Sequence, residues 1–286
     1  MPAGLHRWPL PALLGAGLIG AALLYYAGWV EPRWLHVRHV KVRLPRLAPA
    51  FHGYRIAHLS DIHMGGGMTP ARLRAAVSLV NALKPDLVAL TGDFIEADGR
   101  AAAAVADALG ALRARDGAVA VLGNHDYRRA PDAVRQALAQ AGVVELSNAV
   151  HTLRRGVDSL HIAGLDDVAA GRACLDAVLD ALPPEGAAVL LAHEPDFADV
   201  TAATGRFDLQ LSGHTHAGQV RLPLLGALVL PSYGRFYPAG RYQVGGMTQY
   251  TNSGLGTIWP HLRFNARPEV ALLTLHSADD GAAPAP

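Results

Sequence analysis

Residues 85–93 read PDLVALTGD. Pro85-Asp86 closes one element, Leu87–Leu90 is an unbroken apolar run of strand length, and Thr91-Gly92 releases Asp93 at its end. An apolar run without alternation fits a strand buried on both faces, in a sheet covered by helices. The pattern recurs. Tyr54–Leu59 leads into Ser60-Asp61-Ile62-His63, and Ala118–Leu122 into Gly123-Asn124-His125-Asp126. Ala188–Ala192 leads into His193, and Asp208–Leu211 into Gly213-His214-Thr215-His216. Polar groups at the ends of successive buried strands predict a shared rim.

Between these strands the sequence predicts helices. Thr69 before Pro70 is an N-cap with proline at the first helical position, opening a helix to about Leu83. Ala101–Leu112, Pro131–Ala141 and Ala173–Leu182 are the others, and Cys174 within the last is expected to be a small core hydrophobe. The alternation argues an α/β domain. From Gln219 the helix signal stops, and Gly, Pro and Tyr punctuate short strands that close with Val270–Leu275. We expect an anchor and linker over residues 1–45, the domain over 46–276 and a disordered tail over 277–286.

The clusters supply Asp61, His63, Asp93, Asn124, His193, His214 and His216, enough donors for two metal ions. In Asp61-x-His63 and His214-x-His216 the donors are two apart, so in extended chain both project to one side. Carboxylate, amide oxygen and imidazole without thiolate suit Mn²⁺, Fe, Zn²⁺ or Mg²⁺, and the donors single out none of them. The single cysteine excludes an internal disulfide and a cysteine-rich zinc site. A formal net charge of +1 without a long basic block argues against nucleic acid as a partner. A monomer is expected.

From Pro9 to Val30 the chain carries no charge: PLPALLGAGLIGAALLYYAGWV. About 20 apolar residues suffice to span a bilayer as a helix. Tyr25, Tyr26 and Trp29 gather at the far end, as interfacial aromatics do. The bulky Tyr25 two residues before Ala27 makes a poor cleavage site, which favours an uncleaved anchor over a signal peptide. Arg33, Arg38, Lys41, Arg43 and Arg46 follow it against Glu31, which favours a cytoplasmic domain. Val40–Leu44 alternates as a strand would, so some of these charges belong to the folded domain.

HLSDIH (58–63), PDLVALTGD (85–93), VLGNHDY (121–127), LLAHEPD (190–196) and LSGHTHAGQ (211–219), with the closing RPEVALLTL, resemble the calcineurin-like metallophosphoesterases. The resemblance runs from Arg55 to Leu275, and its detail is similar to the bacterial membrane-associated branch. It implies a four-layer αββα sandwich of two mixed sheets with a dimetal site at the sheet rim. It further implies one metal on Asp61, His63, Asp93 and His216, and a second on Asp93, Asn124, His193 and His214, Asp93 bridging. His125 is then the candidate acid or phosphate-contacting group. Glu96 stands where the family commonly has an aspartate orienting this histidine, and its longer arm leaves that role open.

Other residues have plainer readings. Asp126 suits a turn or cap as well as catalysis. Gly65-Gly66-Gly67 suits a flexible connection, since no G-K-[ST] follows to make a phosphate loop. His58 suits packing. Arg235, Tyr237 and Arg241 could meet substrate phosphate or merely build the rim, and Asn252-Ser253-Gly254, Trp259 and His261 could line a pocket. The chemistry implied is hydrolysis of a phosphodiester or pyrophosphate by a hydroxide held between the metals. A lipid-linked substrate such as UDP-diacylglucosamine, in the lipid A pathway, is the plausible target. The alternatives are a nucleotidase or general envelope phosphodiesterase, and a catalytically inactive membrane adaptor.

Overall fold

A computed structural model of the protein describes residues 10–277; the expected tail lies beyond them except for Ser277. Strands are numbered in chain order. β1 (His36–Arg43), β2 (Arg55–Leu59), β3 (Leu87–Thr91), β4 (Ala118–Val121), β5 (Val143–Glu145) and β14 (Glu269–His276) form a six-stranded sheet ordered β1-β14-β2-β3-β4-β5. β6 (Ala149–Arg155), β7 (Asp158–Gly164), β8 (Ala187–Leu191), β9 (Leu209–Ser212), β12 (Gly240–Val244) and β13 (Met247–Thr251) form a second, ordered β12-β13-β9-β8-β7-β6. β10 (Arg221–Leu222) and β11 (Gly226–Ala227) make a small separate hairpin.

Both sheets are mixed. β2 to β5 run parallel and β14 opposes β2, while β7, β8, β9 and β13 run parallel with β6 and β12 as antiparallel edges. The sheets bury their inner faces on each other. Ile56, Leu87, Ala89 and Val121 from the first meet Ile162, Val189, Leu191 and Leu209 from the second. Because the parallel strands share direction, their C-terminal ends collect on one rim.

The helices are α1 (Leu10–Tyr25), α2 (Pro70–Ala82), α3 (Arg100–Leu109), α4 (Asn124–Arg129), α5 (Pro131–Gln140), α6 (Leu175–Ala181) and α7 (Ala198–Ala203). Of these, α2, α3 and α5 cover the outer face of the first sheet and α6 and α7 that of the second. Leu73, Val80, Val105, Leu109 and Leu138 of α2, α3 and α5 pack on the first sheet. Val178 of α6 and Ala198 of α7 pack with Ala163 and Leu190 of the second. The result is the four-layer αββα sandwich. The Thr69 hydroxyl accepts from Arg72 N at 3.3 Å, the cap that starts α2 where expected.

Two expectations change, and two short helices, α4 and α7, are added to those expected. Cys174 is exposed and precedes α6 rather than lying inside it, because the helix starts only at Leu175. The metal-bearing segment after β4 is helical, since Asp126 caps α4. The linker assigned to residues 1–45 is part of the domain from its middle onward: β1 pairs along its full length with β14, from His36 opposite Glu269 to Arg43 opposite His276. The Val40–Leu44 alternation is therefore a real strand as far as Arg43.

The segment before β1 is docked as well. α1 continues through a wide turn at Tyr26–Val30 into a 3₁₀ turn at Glu31–Arg33. The buried Glu31 carboxylate accepts from Asn265 N and Ala266 N, and Ala27 O accepts from Arg263 N at 2.8 Å. The tyrosine ring of Tyr26 meets Phe264 edge-on at 6.2 Å. Leu14–Arg33 is the one stretch among the described residues long and apolar enough to cross a membrane, and only 11% of its apolar window is buried by the protein.

Candidate metal centre

β2, β3 and β4 of one sheet and β8 and β9 of the other deliver the seven donors to one rim. The delivery is strained. Asp61, His63, Asp93, His214 and His216 have φ of 52°, 49°, 57°, 71° and 51°, a left-handed region costing on the order of 1 kcal/mol each for a non-glycine residue. Backbone bonds between the strand ends hold them there: Asp61 N to Gly92 O at 3.0 Å, His63 N to Asp93 O at 2.9 Å and Gly213 N to His193 O at 3.0 Å. Close approach requires glycine at two points, because a Cβ on Gly213 would strike Ser60 Oγ and one on Gly123 would strike Asp93 Oδ1.

The donors fall into two groups. Asp61, His63 and His216 form one, with His63 Nε2 3.0 Å from His216 Nε2 and His216 Nε2 3.4 Å from Asp61 Oδ1. Asp93, His193 and His214 form the other, with His193 Nε2 3.2 Å from Asp93 Oδ2 and 3.2 Å from His214 Nδ1. Asp93 Oδ2 also lies 3.6 Å from His63 Nε2, so this carboxylate spans both groups. Ligands bound about 2.0–2.2 Å from one ion lie roughly 3–3.5 Å apart, which is the spacing found.

A second observation supports the fit. His193 donates Nδ1–H to Thr91 O at 2.6 Å, His214 donates Nε2–H to Ser232 O at 2.8 Å, and His63 Nδ1 meets Glu96 Oε2 at 2.9 Å. Each fixed outer nitrogen turns the other into the cluster, as metal-binding imidazoles require. The Asn124 amide end facing the cluster lies 3.2 Å from His214 Nδ1 and 3.3 Å from His193 Nε2. Presented as oxygen, it sets three lone-pair atoms face to face, unsuited to hydrogen bonds and suited to a cation.

The electrostatics agree. Burial opposes charge at every one of these groups, and at Asp61, His63, Asp93 and His193 mutual proximity overrides it. His193 draws Asp93 well below the carboxylate range, and His216 and His63 do the same for Asp61. In turn His193 is pushed up by Asp93, and His63 is raised to about 9 by Asp61 and Glu96. At His214 and His216 burial wins, taking His216 down to about 3 and leaving neutral rings with lone pairs to offer. Divalent cations would displace the protons held by His63 and His193.

Asp126 is the structural keystone of the rim. Its carboxylate accepts from Asp93 N, Phe94 N, Ile95 N and Gly123 N at 2.8–3.2 Å, tying the ends of β3 and β4 together. Burial and the nearby Asp93 push its pKa up to about 7, against the four N–H donors that favour the anion. Asp126→Asn would leave at least two buried N–H groups without an acceptor. We expect roughly 2–6 kcal/mol of lost stability, read as a lower urea midpoint; an unchanged midpoint would refute the tie.

Beside the donors, Glu96 Oε2 lies 2.6 Å from His125 Nδ1 as well as 2.9 Å from His63, and Arg129 reaches its other oxygen at 3.2 Å. The longer arm does reach. Burial alone would raise the Glu96 pKa, but the hydrogen bonds with His125 and His63 hold it below the usual carboxylate range. The site opens into a cavity of about 540 Å³. Asp93, Asn124, His125, Arg128, His214 and His216 line its polar side, and Val220, Leu228, Val229, Pro231, Ile258, Trp259 and Pro260 its apolar side. Arg128 escaped the sequence reading, and the signal was its place one helical turn after Asn124, visible only once α4 is recognised.

Arg235 and Tyr237 do not line this cavity: the Tyr237 hydroxyl is held by Asp199 at 2.6 Å, and Arg235 is exposed with its backbone N on Asp196. Arg241 reaches away from the site, to Lys41 O. His58 is buried on the Thr91 hydroxyl at 2.8 Å, and burial lowers its pKa to about 3, a packing role. Asn252 holds His58 O, Ser253 holds Glu269, and His261 pairs with Thr257, so of that group only Trp259 lines the cavity.

The calcineurin-like phosphoesterase family model matches residues 54–218. The metallophosphoesterase YkuE of Bacillus subtilis is 35% identical over 93% of this chain and 94% of its own. Phosphodiesterase YaeI of Escherichia coli is 31% identical over 87% of this chain and 92% of its own. A zebrafish (Danio rerio) transmembrane protein with metallophosphoesterase domain is 32% identical over 84% of this chain, which spans 57% of that protein. Among solved structures, the sulfate thiohydrolase SoxB of Thermus thermophilus shares the fold at a TM-score of 0.50, with 16% identity over 80% of this chain and 57% of that one.

Proposed function

The chain belongs to the calcineurin-like phosphoesterase family, a family of metal-dependent phosphoester hydrolases, and on that premise we propose that it cleaves a phosphodiester or pyrophosphate at a membrane surface. The observation that carries this is the convergence of seven donors, three of whose four imidazoles are fixed from behind by Thr91, Ser232 and Glu96. Asp61, His63, Asp93 and His216 would hold one divalent ion, and Asp93, Asn124, His193 and His214 the other. Bound there, the ions supply Lewis-acid charge and an acidified water. Mn²⁺ is the expected metal, with Fe, Zn²⁺ or Mg²⁺ compatible with the same donors.

The protein's own groups would do the rest. Glu96 fixes His125 through Nδ1 and turns its other nitrogen to the leaving oxygen, which it protonates. Arg128 on the cavity wall would hold a non-bridging phosphate oxygen. The apolar helix would anchor the enzyme, and the basic flank after it favours the cytoplasmic face, to be read by a reporter fused at the C-terminus. The similarity to a phosphodiesterase and to a transmembrane relative supports a phosphodiester at the bilayer. UDP-diacylglucosamine is the pyrophosphate candidate. A nucleotidase is the second reading. The complete donor set speaks against an inactive adaptor.

The full chain in detergent should bind about two metal ions and hydrolyse bis-p-nitrophenyl phosphate with Mn²⁺. No metal and no turnover across Mn²⁺, Zn²⁺ and Fe²⁺ would overturn the proposal. UDP-diacylglucosamine, phosphatidylglycerol and 5′-nucleotides, assayed side by side, separate the substrate readings.

A further inference from the structure

The hairpin β10–β11 breaks the usual rule for a turn. Its tip, Pro223-Leu224-Leu225-Gly226, carries two leucines where Gly, Asn or Asp would normally sit. Leu224 is fully exposed at φ 69°, a strained backbone for leucine, and Leu225 is 76% exposed. Leu228 and Val229 follow, also exposed, and Trp259 on the adjoining loop is 82% exposed. Both strain and apolar exposure are costs that the fold does not need, which points to function at the tip.

The patch is continuous with the apolar helix. Phe264, the residue that packs on Tyr26, also accepts from Arg221 N at 2.9 Å and donates its own N–H to Gln219 O at 2.8 Å. The Gln219 side chain in turn bonds both ways with Ile258, beside Trp259. Hydrogen bonds thus tie the hairpin base to the Trp259 loop, and the Tyr26–Phe264 ring contact joins both to the helix end, directly after His216. Trp29 and Trp34, exposed near the helix end, each carry an arginine over the ring, Arg33 at 4.4 Å and Arg267 at 4.0 Å, the amphipathic pairing of a membrane interface.

We infer that the β10–β11 tip and Trp259 insert into the bilayer beside the apolar helix, turning the mouth of the metal-centre cavity onto the lipid surface. The partner is the bilayer itself. The apolar wall formed by Val220, Leu228, Val229 and Trp259 then receives an acyl chain while the headgroup phosphate meets the polar wall. This deepens the function proposed above and rests on it for the substrate class, though the membrane contact can be read without any turnover.

The test uses the full chain, with Cys174→Ser, in lipid nanodiscs holding one copy each. An environment-sensitive fluorophore is placed at Leu225→Cys, or at Val157→Cys as a control. Val157 is 98% exposed in the turn before β7, at the end of the sheet opposite the rim. Shallow doxyl lipid should quench the Leu225 label about threefold more than the Val157 label. Equal quenching overturns the inference, and so does a blue-shifted label that lipid does not quench, which would mean that protein covers the tip. The double variant Leu224→Asp/Leu225→Asp should lose about tenfold or more of phosphatidylglycerol turnover in vesicles while keeping bis-p-nitrophenyl phosphate turnover. Loss of both activities would mean that the tip shapes the site and would count against membrane insertion. If the unaltered enzyme hydrolyses neither ester, the proposed function fails, and the quenching result still stands or falls alone.

Discussion

Asp93→Ala is expected to lose both metal ions together and to lower turnover by on the order of 10³-fold or more, since several kcal/mol of charge stabilisation would go with them. No other donor is placed to have this effect. One carboxylate oxygen of Asp93 lies 3.2 Å from His193 Nε2 and 3.6 Å from His63 Nε2, between the two donor groups. Its other oxygen accepts from His125 N at 2.8 Å, so the start of α4 would loosen too. Metal content by elemental analysis separates the possibilities: loss of a single ion would show that Asp93 serves one group only. Circular dichroism guards against simple unfolding, and the Asp126 tie between β3 and β4 should preserve the fold.

His125→Ala should give the opposite signature, two ions retained and turnover lowered by roughly 10²–10⁴-fold. The loss should depend on the leaving group. p-Nitrophenolate leaves without much help, so its ester should lose less than an alkyl ester whose alkoxide needs the proton. Equal losses on both would reassign His125 to phosphate binding, and full activity would remove it from the chemistry. Glu96→Gln should follow the same direction with a smaller drop. Its carboxylate is shared by His125 and His63, so the replacement should also weaken metal retention on the His63 side.

The strand-end clusters were legible because two independent signals coincide there. An apolar run such as Leu87–Leu90 announces a buried strand, and a lone Asp or His after it is chemically conspicuous. The α/β class followed from the alternation of such runs with helices, and the four layers from the resemblance alone. What stayed hidden is set by contacts remote in sequence. Nothing local shows that Glu96 touches two histidines, that five donors adopt left-handed backbone, or that Asp126 accepts from four N–H groups across two strands. Tyr237, between Arg235 and Arg241, reads equally as a phosphate contact or as rim structure, and Asp199, 38 residues away, claims its hydroxyl. Cys174 reads as core because Ala173–Leu182 has helical composition; that the helix begins two residues later, at Leu175, and leaves the thiol exposed depends on packing.

The docking of Glu31 carries a consequence for reach. A catalytic domain on a flexible tether samples a wide range of heights above its anchor, at an effective concentration set by tether length. Here the chain leaves the apolar helix already fastened, through Glu31 to the 265–266 backbone and through Ala27 to Arg263. The apolar helix and the metal centre should therefore move as one body and, if the helix is the anchor proposed above, at a single depth and tilt. Under the membrane anchoring proposed above, such an enzyme would measure its substrate as a gauge does: the scissile phosphate would have to lie at a set distance from the bilayer, and the same bond carried higher or lower, however reactive, would fall out of register.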